Sequence, residues 1–522
     1  MTRKNIEQAM QPPLEWNIPN LAALFLFVIV LLVKELKPIL KIGKTKYFTK
    51  PISPKRKILT VKDIPGPQQF PVIGTRWIYY TKYTLEKIHE AHKDLCRTFG
   101  PIVKEEALWN IPVINIFGKN EIEKVLRQPS KYPLRPPTEV TAHYRASRPD
   151  RYPSLGLINE QGETWHSLRS HLTPELTSAK TMSSFFPELL SVTEDFIRLL
   201  QVSKHANGIV EHFDDLACRM GLESTCCLIL GKRLGVLEDE ANEVSLRLAN
   251  AVKEQFCASR DTYFGLPFWK LYPTEAYKRF VKAEEIIYDV ISEMVENAEN
   301  QENDSYLEDS PSVFLSILNN PGLDIREKKA GIIDFIAAGI KTLGNTLVFL
   351  LYLMAKNPEC QEKLVEEIHS LTSGKELTLQ ALGKANYLKA CITESYRMLP
   401  TAPCLARILE TDMELNGFHL PSGSVVLCHT WQASLMEENF SDANQFIPER
   451  WLGKEKMPWL VAPFGAGRRL CPGKRFVELE LQVLLAQIVR KFKIECAGEL
   501  EIQFEFLMAP SSPTNLKFVE RT

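Results

Sequence analysis

The sequence lacks an excess of charge of either sign. Its 522 residues include 63 lysines and arginines and 64 aspartates and glutamates, so the formal net charge is −1. Nucleic-acid binding relies on a basic surface, and this balance predicts no nucleic-acid partner. Hydrophobic residues make up 45% of the chain and charged residues 24%, a composition typical of a globular protein with a large core.

Paired cysteine motifs are also missing. The 11 cysteines are scattered along the chain, with no C-x-x-C pair and no Cys/His spacing that fits zinc. An odd number of cysteines without a C-x-x-C pair is typical of a reducing compartment. The pattern argues against a disulfide scaffold, and also against glycosylation at the N-x-S sequon that begins at Asn303.

Internal repeats and low-complexity tracts are absent as well. Helical spacing of apolar residues dominates three long segments, residues 167–201, 277–298 and 477–492. Alternating patterns predict short strands at residues 112–118, 413–420 and 424–430. The polar, aperiodic stretch 296–312 predicts a surface loop. We therefore predict a mainly α protein with small β-sheets.

The N-terminus differs from the rest of the chain. Residues 21–33 are apolar and uncharged, and nine basic residues with one acid follow between Lys34 and Lys57. The apolar run is shorter than the roughly twenty residues that a full membrane span needs. Three interpretations stay open: a signal peptide without a clear cleavage site, a signal anchor with a cytosolic basic flank, or a mitochondrial presequence.

The third interpretation has a difficulty, because Glu7 and Glu15 are acids in a segment expected to be poor in them. On all three, an apolar run with a basic flank suits a bilayer interface. We predict that residues 1–57 form a targeting or anchor segment with membrane association. The turn-rich stretch 63–75 is expected to be the hinge before the globular body.

One predicted helix, residues 326–358, is apolar nearly all round. Such a helix either spans a membrane or runs through the centre of a large protein. Asp334, Lys341 and Asn345 interrupt the apolar surface, which favours the central helix. Gly339 in its interior costs roughly 1 kcal/mol relative to alanine, which suggests that something packs or reacts there.

A single cysteine stands in the glycine-rich and basic stretch PFGAGRRLCPGKRF, residues 463–476. The predicted helix after Gly473 places Cys471 at a helix N-terminus, where the dipole is expected to lower the pKa of the thiol. A disulfide-exchange nucleophile would need a resolving thiol nearby, and a protease nucleophile would need a histidine. A lone stabilised thiolate suits an axial haem ligand.

The same stretch carries a resemblance to the cytochrome P-450 family. The pattern F-x-x-G-x-R-x-C-x-G is filled by Phe464, Gly467, Arg469, Cys471 and Gly473. The resemblance covers about residues 63–519 and implies one domain, residues 58–522, with haem b between the long central helix and the cysteine loop. It implies Cys471 as the iron ligand, O2 as co-substrate and monooxygenase activity.

Further motifs of the family occur in the expected order. Glu394, Arg397 and Arg450 match its structural ion network. The oxygen-activating segment of the central helix is matched by Ala338, Gly339 and Thr342. The arginines and the tryptophan that hold the haem carboxylates are matched by Trp165, Arg169, Arg407 and Arg469. These roles are implied by the resemblance, since each motif alone is weak.

Five further segments also carry a resemblance: residues 129–139, 147–152, 334–347, 404–417 and 473–480. They resemble the mitochondrial-type branch of the family, and most of all the ecdysone 20-monooxygenases of arthropods. That implies an ecdysteroid substrate, electrons from an adrenodoxin-like ferredoxin with its reductase, and the matrix side of the mitochondrial inner membrane. The endoplasmic reticulum membrane is the alternative. Lys389, Lys474 and Arg475 match ferredoxin-docking positions, although Thr393 stands where a further basic residue is usual.

Position 341 departs from the family, because Lys341 replaces the acid that usually precedes the threonine. An acid and an alcohol together relay protons, so half of that relay is missing. Substrate contacts are expected from residues 129–157, 337–338, 401–405 and 508–513. An isomerase or dehydratase that needs no electrons and a non-catalytic haem-binding protein stay open as alternatives.

Overall fold

The computed structural model describes residues 59–238, 243–300, 313–453, 457–511 and 513–521. The predicted anchor, residues 1–57, lies outside the described residues. All structural statements below refer to the described part of the chain.

Helices make up most of the described chain. Those of the first half are α1 (Ile78–Thr81), α2 (Ile88–Phe99), α3 (Lys119–Leu126), α4 (Glu139–Ala146), α5 (Gly156–Asn159), α6 (Gly162–Leu172), α7 (Ala179–Val202), α8 (Phe213–Leu230) and α9 (Glu243–Phe264). Those of the second half are α10 (Glu275–Asn300), α11 (Val313–Leu318), α12 (Ile325–Lys356), α13 (Pro358–Thr372), α14 (Leu379–Lys384), α15 (Asn386–Met398), α16 (Thr430–Ser434) and α17 (Lys474–Lys491). Short 3-10 turns join several of them.

The strands form small separate sheets. They are β1 (Leu59–Thr60), β2 (Ile102–Glu106), β3 (Pro112–Ile116), β4 (Ile209–Val210), β5 (Leu405–Ile408), β6 (Met413–Leu415), β7 (Phe418–Leu420), β8 (Val425–Cys428), β9 (Phe492–Cys496), β10 (Ile502–Phe504), β11 (Met508–Pro510) and β12 (Leu516–Glu520). The sheet orders are β2-β3-β8-β5, β1-β7-β6, β4-β12-β9 and β10-β11. In the largest sheet β3 and β8 are parallel, with Ile114 opposite Val426, and both residues are fully buried.

Helix α12 runs through the core, as the sequence predicts. It is the one described helix that is long and apolar enough to cross a membrane, and 72% of its apolar stretch is buried inside the protein. Helix α8 packs against it, and every α8 residue except Asp214 and Asp215 is buried. Small residues allow the close approach: a Cβ on Gly221 of α8 would lie 2.9 Å from the Gly339 carbonyl oxygen.

Three local predictions are wrong. The predicted helix 167–201 is broken after Leu172, because Pro174 cannot continue it, and α7 restarts with Ser178 as its N-cap. The predicted strand 413–420 is a hairpin of β6 and β7. Asn416 and Gly417 form its turn with φ of 48° and 80°, the Asn-Gly signal of a tight turn. The predicted loop 296–312 begins too early, since α10 continues to Asn300.

Candidate active site

The central helix and the Cys471 loop share the wall of one large cavity, of about 610 Å³. Residues predicted for oxygen activation and cofactor binding come together there from distant parts of the chain. Those that line the cavity are Trp165, Arg169, Ala338, Gly339, Thr342, Arg407, Phe464, Arg469, Cys471 and Gly473.

Two glycines shape the loop that carries the cysteine. Gly465 and Gly467 have φ of 81° and 66°, a left-handed conformation that glycine adopts without a steric penalty. The loop brings the Cys471 backbone N–H to the Phe464 carbonyl oxygen, at 2.8 Å. Helix α17 begins directly afterwards with Gly473 as its N-cap, so Cys471 lies at a helix N-terminus as predicted.

The pKa of the Cys471 thiol is raised, whereas the sequence led us to expect a lowered value. Burial is the largest cause and raises the pKa, while a hydrogen bond from the Gly473 backbone and the charge of Arg169 lower it. Cys471 nevertheless has solvent-accessible surface. Because the residue lines the cavity, this surface faces the cavity. The helix terminus and the positive charge act in the expected direction, but desolvation outweighs them.

Four guanidinium groups, from Arg135, Arg169, Arg407 and Arg469, face the same cavity. Among the described residues, none of the four forms an ion pair with a carboxylate. Burial lowers the pKa of Arg135 to about 10 and that of Arg469 to about 9, and repulsion from neighbouring arginines adds to both shifts. Burying this much uncompensated charge is costly, so the cavity suits a ligand that brings carboxylates.

Arg469 is held in place by backbone and aromatic contacts. Its Nε donates to the Pro133 carbonyl at 2.9 Å and its Nη2 to the Glu160 carbonyl at 2.7 Å. The guanidinium lies 4.0 Å from the centroid of the buried Trp165 ring. Its Nη1 is buried without a hydrogen-bond partner in the described chain, so this nitrogen is free to donate to a bound ligand.

Sequence reasoning missed Arg135 as a member of this cluster. The residue lies within the stretch 129–157, which we assigned to substrate contact as a whole. Its Nη2 donates to the Ile158 carbonyl at 2.6 Å, which holds the guanidinium near those of Arg407 and Arg469. A single arginine in a proline-rich loop carries no spacing signal, because the contact depends on where the loop folds back.

On the central helix, the Thr342 hydroxyl donates to the Ala338 carbonyl at 2.5 Å. One turn later, the Thr346 hydroxyl donates to the Thr342 carbonyl at 2.7 Å and lies 2.8 Å from the Thr401 hydroxyl. These three threonines line the cavity. The helix therefore presents a row of hydroxyl groups beside the space that Cys471 faces.

A family model described as cytochrome P450 matches residues 64–518. The chain belongs to the cytochrome P450 family. It is therefore an oxidoreductase of the monooxygenase type, and both the predicted family and the predicted fold class are confirmed.

Three relatives are similar to this P450 over most of its sequence. The ecdysone 20-monooxygenase of Drosophila melanogaster is 45% identical over 491 residues, covering 90% of this chain and 91% of the relative. The mitochondrial cytochrome P450 302a1 of the same species is 31% identical over 464 residues, covering 86% and 93%. The mitochondrial 1,25-dihydroxyvitamin D(3) 24-hydroxylase of Mus musculus is 27% identical over 471 residues, covering 88% and 90%.

The predicted ion network of the P450 is brought together away from the cavity. Glu394 and Arg397 are fully buried and form a two-point contact, with both N–O distances 2.8 Å. The Arg450 Nε donates to Glu394 at 3.0 Å, and the Trp451 indole donates to the same carboxylate at 2.8 Å. Each charge is paired and hydrogen-bonded, which suits a role in holding the fold. That role stays a prediction.

Lys341 points away from the cavity, which it does not line. It is 8% exposed. Burial lowers its pKa, but the Cys218 thiol and nearby carboxylates raise it and prevail; the carboxylates are those of Glu505, Asp214 and Asp215. The charges of these acids outweigh the desolvation, so the lysine keeps its proton.

The predicted substrate segments lie only partly in the cavity wall. Residues 401–405 all line it, and so do 135–138 and Leu157 of the stretch 129–157. Ala337 does not, because neighbouring residues on a helix point about 100° apart and Ala338 takes the inner position. None of the described residues in the stretch 508–513 lines it either: the β10–β11 hairpin reaches the cavity through Phe504, Phe506 and Leu507.

The predicted docking residues lie near the start of α17 and on α15. Arg475 is exposed, and Lys474 lies 3.7 Å from Glu478. The Lys389 ammonium donates to the Gly383 carbonyl at 2.6 Å, and burial lowers its pKa. Lys389 is thus less available to a partner than its neighbours on α17, and the docking role of all three stays a prediction.

Proposed function

We propose that this P450 is a haem-thiolate steroid monooxygenase that hydroxylates ecdysone to 20-hydroxyecdysone, with O2 and electrons from a ferredoxin. The observation that carries the substrate is the 45% identity to the Drosophila ecdysone 20-monooxygenase over nine-tenths of this chain. The cavity shared by Cys471 and the oxygen-activating segment supports the chemistry.

The residues of the cavity fit haem b. Cys471 would supply the sulfur ligand of the iron, since a thiol that coordinates a metal is deprotonated even when its pKa is raised in the metal-free protein. The guanidinium groups of Arg135, Arg169, Arg407 and Arg469 would receive the two haem carboxylates, and the unpartnered Nη1 of Arg469 is one donor for them. The Trp165 ring, over which the Arg469 guanidinium lies, would hold that group in position.

When bound, haem with a thiolate ligand supplies the activation of O2 and the insertion of one oxygen atom into a C–H bond. The chain must hold a proton near that oxygen, and we assign this role to the Thr342 hydroxyl, which lines the cavity. The acid that usually helps is absent at position 341. The hydroxyls of Thr342, Thr346 and Thr401, together with water, would therefore carry the protons.

The rest of the cavity suits a large, mostly apolar molecule. Aromatic side chains line one region, where the Tyr263, Phe264, Phe504 and Phe506 rings contact one another with centroids 5.0–6.4 Å apart. Flat apolar surfaces of this kind bind steroid ring systems by burying their area from water.

Electron supply is proposed from the basic residues near the thiolate loop. Arg468 and Arg475 are exposed, and Lys474 is half-buried beside them. A small acidic ferredoxin would be drawn to this surface, and the attraction would weaken with added salt. A mitochondrial location is proposed because several relatives carry that word in their names. The predicted anchor, residues 1–57, would provide the membrane association.

Reconstitution tests the proposal. Purified enzyme is incubated with ecdysone, an adrenodoxin-like ferredoxin, ferredoxin reductase and NADPH, and the product is identified by mass spectrometry against authentic 20-hydroxyecdysone. We expect ecdysone-dependent NADPH consumption and that product. A rearranged or dehydrated product formed without NADPH consumption would indicate an isomerase or dehydratase. Neither product nor NADPH consumption would indicate a haem-binding protein without turnover.

The Thr342→Ala variant is measured in the same assay to test the role of the hydroxyl. Because it removes the hydroxyl that lines the cavity, we expect more hydrogen peroxide released for each NADPH consumed, with haem content unchanged. Efficient support by the microsomal flavoprotein reductase instead of ferredoxin would contradict the proposed partner and favour the endoplasmic reticulum.

A further inference from the structure

One wall of the cavity carries a charged pair that the proposed function does not use. Asp334 on α12 is the one carboxylate among the described residues that line the cavity. Arg145 on α4 binds it with both terminal nitrogens, one of them at 3.0 Å and the other closer. The Arg145 side chain is 7% exposed and that of Asp334 is 18% exposed, so the carboxylate is the member of the pair that keeps an open face.

The pair is built into the fold. Gly156 has φ of 79°, and a Cβ at that position would lie 1.9 Å from the Arg145 Nη1. Only a glycine therefore leaves room for the guanidinium. The Tyr152 ring covers the other side of Arg145, 4.7 Å from its central carbon. The arginine is fixed, and it fixes the carboxylate in turn.

The cavity that Asp334 lines is mostly apolar, and Leu157, Ile158, Phe335 and Ala338 are among the residues that share its wall. Each carboxylate oxygen accepts one bond from Arg145 and keeps a free lone pair. An acceptor that faces an apolar space costs free energy unless a donor meets it. A ligand that fills this space gains by bringing that donor.

The charge of the pair indicates which donor fits. Arg145 already neutralises the carboxylate, and the same cavity holds four guanidinium groups, those of Arg135, Arg169, Arg407 and Arg469, which outnumber the two haem carboxylates proposed for them. A cationic amine would be repelled by these groups, whereas a neutral hydroxyl would not. Asp334 also lies eight residues before Thr342, about 12 Å along the helix by its rise, so the donor lies far from the oxygen-activating segment.

We propose that Asp334, held by Arg145, accepts a hydrogen bond from an alcohol hydroxyl of a polyhydroxylated steroid, at the end remote from the carbon that is hydroxylated. The inference rests on the proposed function and names the recognition element within that site. Asp334 is thus a specificity-determining residue, and Arg145 is the residue that positions it. A steroid without a hydroxyl at that end leaves the acceptor unmatched and binds more weakly.

Equilibrium binding to the haem-loaded enzyme tests the inference. The dissociation constants of ecdysone and of a series of analogues, each lacking one hydroxyl, are measured from the ligand-induced Soret shift. For wild type, one analogue is expected to bind about tenfold more weakly than ecdysone, which is the effect of one lost hydrogen bond to a charged group. Asp334→Asn is expected to weaken ecdysone by a similar factor and to leave that analogue unchanged.

Two further variants separate recognition from packing. Arg145→Met/Asp334→Leu replaces the pair by apolar side chains of similar volume, a change that buried pairs often tolerate, and should show the same loss of discrimination. Glu285→Gln is the matched control: Glu285 ties the same segment through Tyr144 and Arg148, at 2.6 and 2.5 Å, without lining the cavity. It should leave the pattern across the analogues as in wild type.

The outcomes distinguish this inference from the proposed function. The inference alone would be overturned if wild type binds and converts ecdysone but Asp334→Asn discriminates among the analogues as wild type does. The inference would also be overturned if Asp334→Asn lost the same affinity for ecdysone and for every analogue, because that result would mean that the ion pair has only a structural role. Wild type that binds none of these steroids would contradict both.

Discussion

Gly339 on the central helix lies directly against Thr225 on helix α8. A Cβ built on Gly339 would be 2.1 Å from the Thr225 hydroxyl oxygen and 2.8–2.9 Å from its methyl and Cβ atoms. The Thr225 hydroxyl is buried without a hydrogen-bond partner in the described chain. The glycine is therefore required by a close approach of two helices at the cavity wall, which explains its place in the middle of a helix despite its low helix propensity.

We expect Gly339→Ala to lower the free energy of unfolding by about 1–3 kcal/mol, because the methyl group forces the two helices apart. Denaturant titration of the haem-loaded enzyme measures the effect. Gly383→Ala is the matched control: Gly383 also lies in a helix, but a Cβ there meets nothing within 4 Å. That substitution should be neutral or slightly stabilising. Equal effects of the two would mean that the contact with Thr225 is unimportant.

Arg469→Gln should weaken haem binding by about tenfold or more, since a charged hydrogen bond to a haem carboxylate is lost. Titration of the apoprotein with haem, followed by the Soret band, gives the affinity. Arg468→Gln is the control, because Arg468 is the exposed neighbour in the same loop and should leave the affinity unchanged. If Arg469→Gln and Arg468→Gln bound haem with equal affinity, Arg469 would not contribute to the haem site.

Glu480 on α17 is fully buried, and neither carboxyl oxygen has a hydrogen-bond partner of normal geometry in the described chain. Burial raises the pKa of this carboxyl to about 8 from its ordinary 4.5, and the nearby Ser224 hydroxyl offsets only part of the shift. The folded protein thus keeps a proton that the unfolded chain releases. The associated stability is complete below about pH 4.5 and is lost as the pH rises through 8.

Glu480→Gln should remove that pH dependence. We expect nearly equal stability of variant and wild type at pH 5, and a variant more stable by about 2–5 kcal/mol above pH 8. Guanidinium unfolding midpoints at the two pH values measure the difference. Glu366→Gln, at an exposed glutamate, should shift neither midpoint. A variant less stable than wild type at high pH would mean that the carboxylate has a partner in the folded protein.

Lys341→Glu restores the acid that is usual in the family, but we expect it to destabilise this chain. The new carboxylate would join those of Glu505, Asp214 and Asp215, where like charges repel. The unfolding midpoint should fall, more at low salt than at high salt. Adding Glu505→Gln should recover part of the loss. No recovery would show that Lys341 does not interact with Glu505.

The sequence was sufficient to predict the fold class, the central helix and the residues around Cys471, because these rest on short patterns with strong local causes. Gly467 is an example, since its left-handed backbone requires glycine. The sign of the Cys471 pKa shift was not predictable, because it depends on how much protein surrounds the sulfur. A helix terminus is visible in a sequence, and desolvation is not.

Contacts between distant segments could not be predicted from the sequence either. Arg135, Thr225 and Asp334 line the cavity because helices and loops from different parts of the chain meet there. Pro174 could have shown where the long predicted helix breaks, and the Asn416-Gly417 pair could have shown the hairpin. No comparable signal marks Glu505, whose proximity to Lys341 follows from tertiary packing alone.

The assignment of Cys471 as the thiolate ligand of the haem is tested most directly by the absorption spectrum of the ferrous–CO complex. Wild type should give the red-shifted Soret band that a thiolate ligand produces, and Cys471→His should lose that band while haem remains bound. Monooxygenation should be lost with it. If Cys471→His kept the thiolate-type band, another cysteine would be the ligand, and the account of the site built on Cys471 would be wrong.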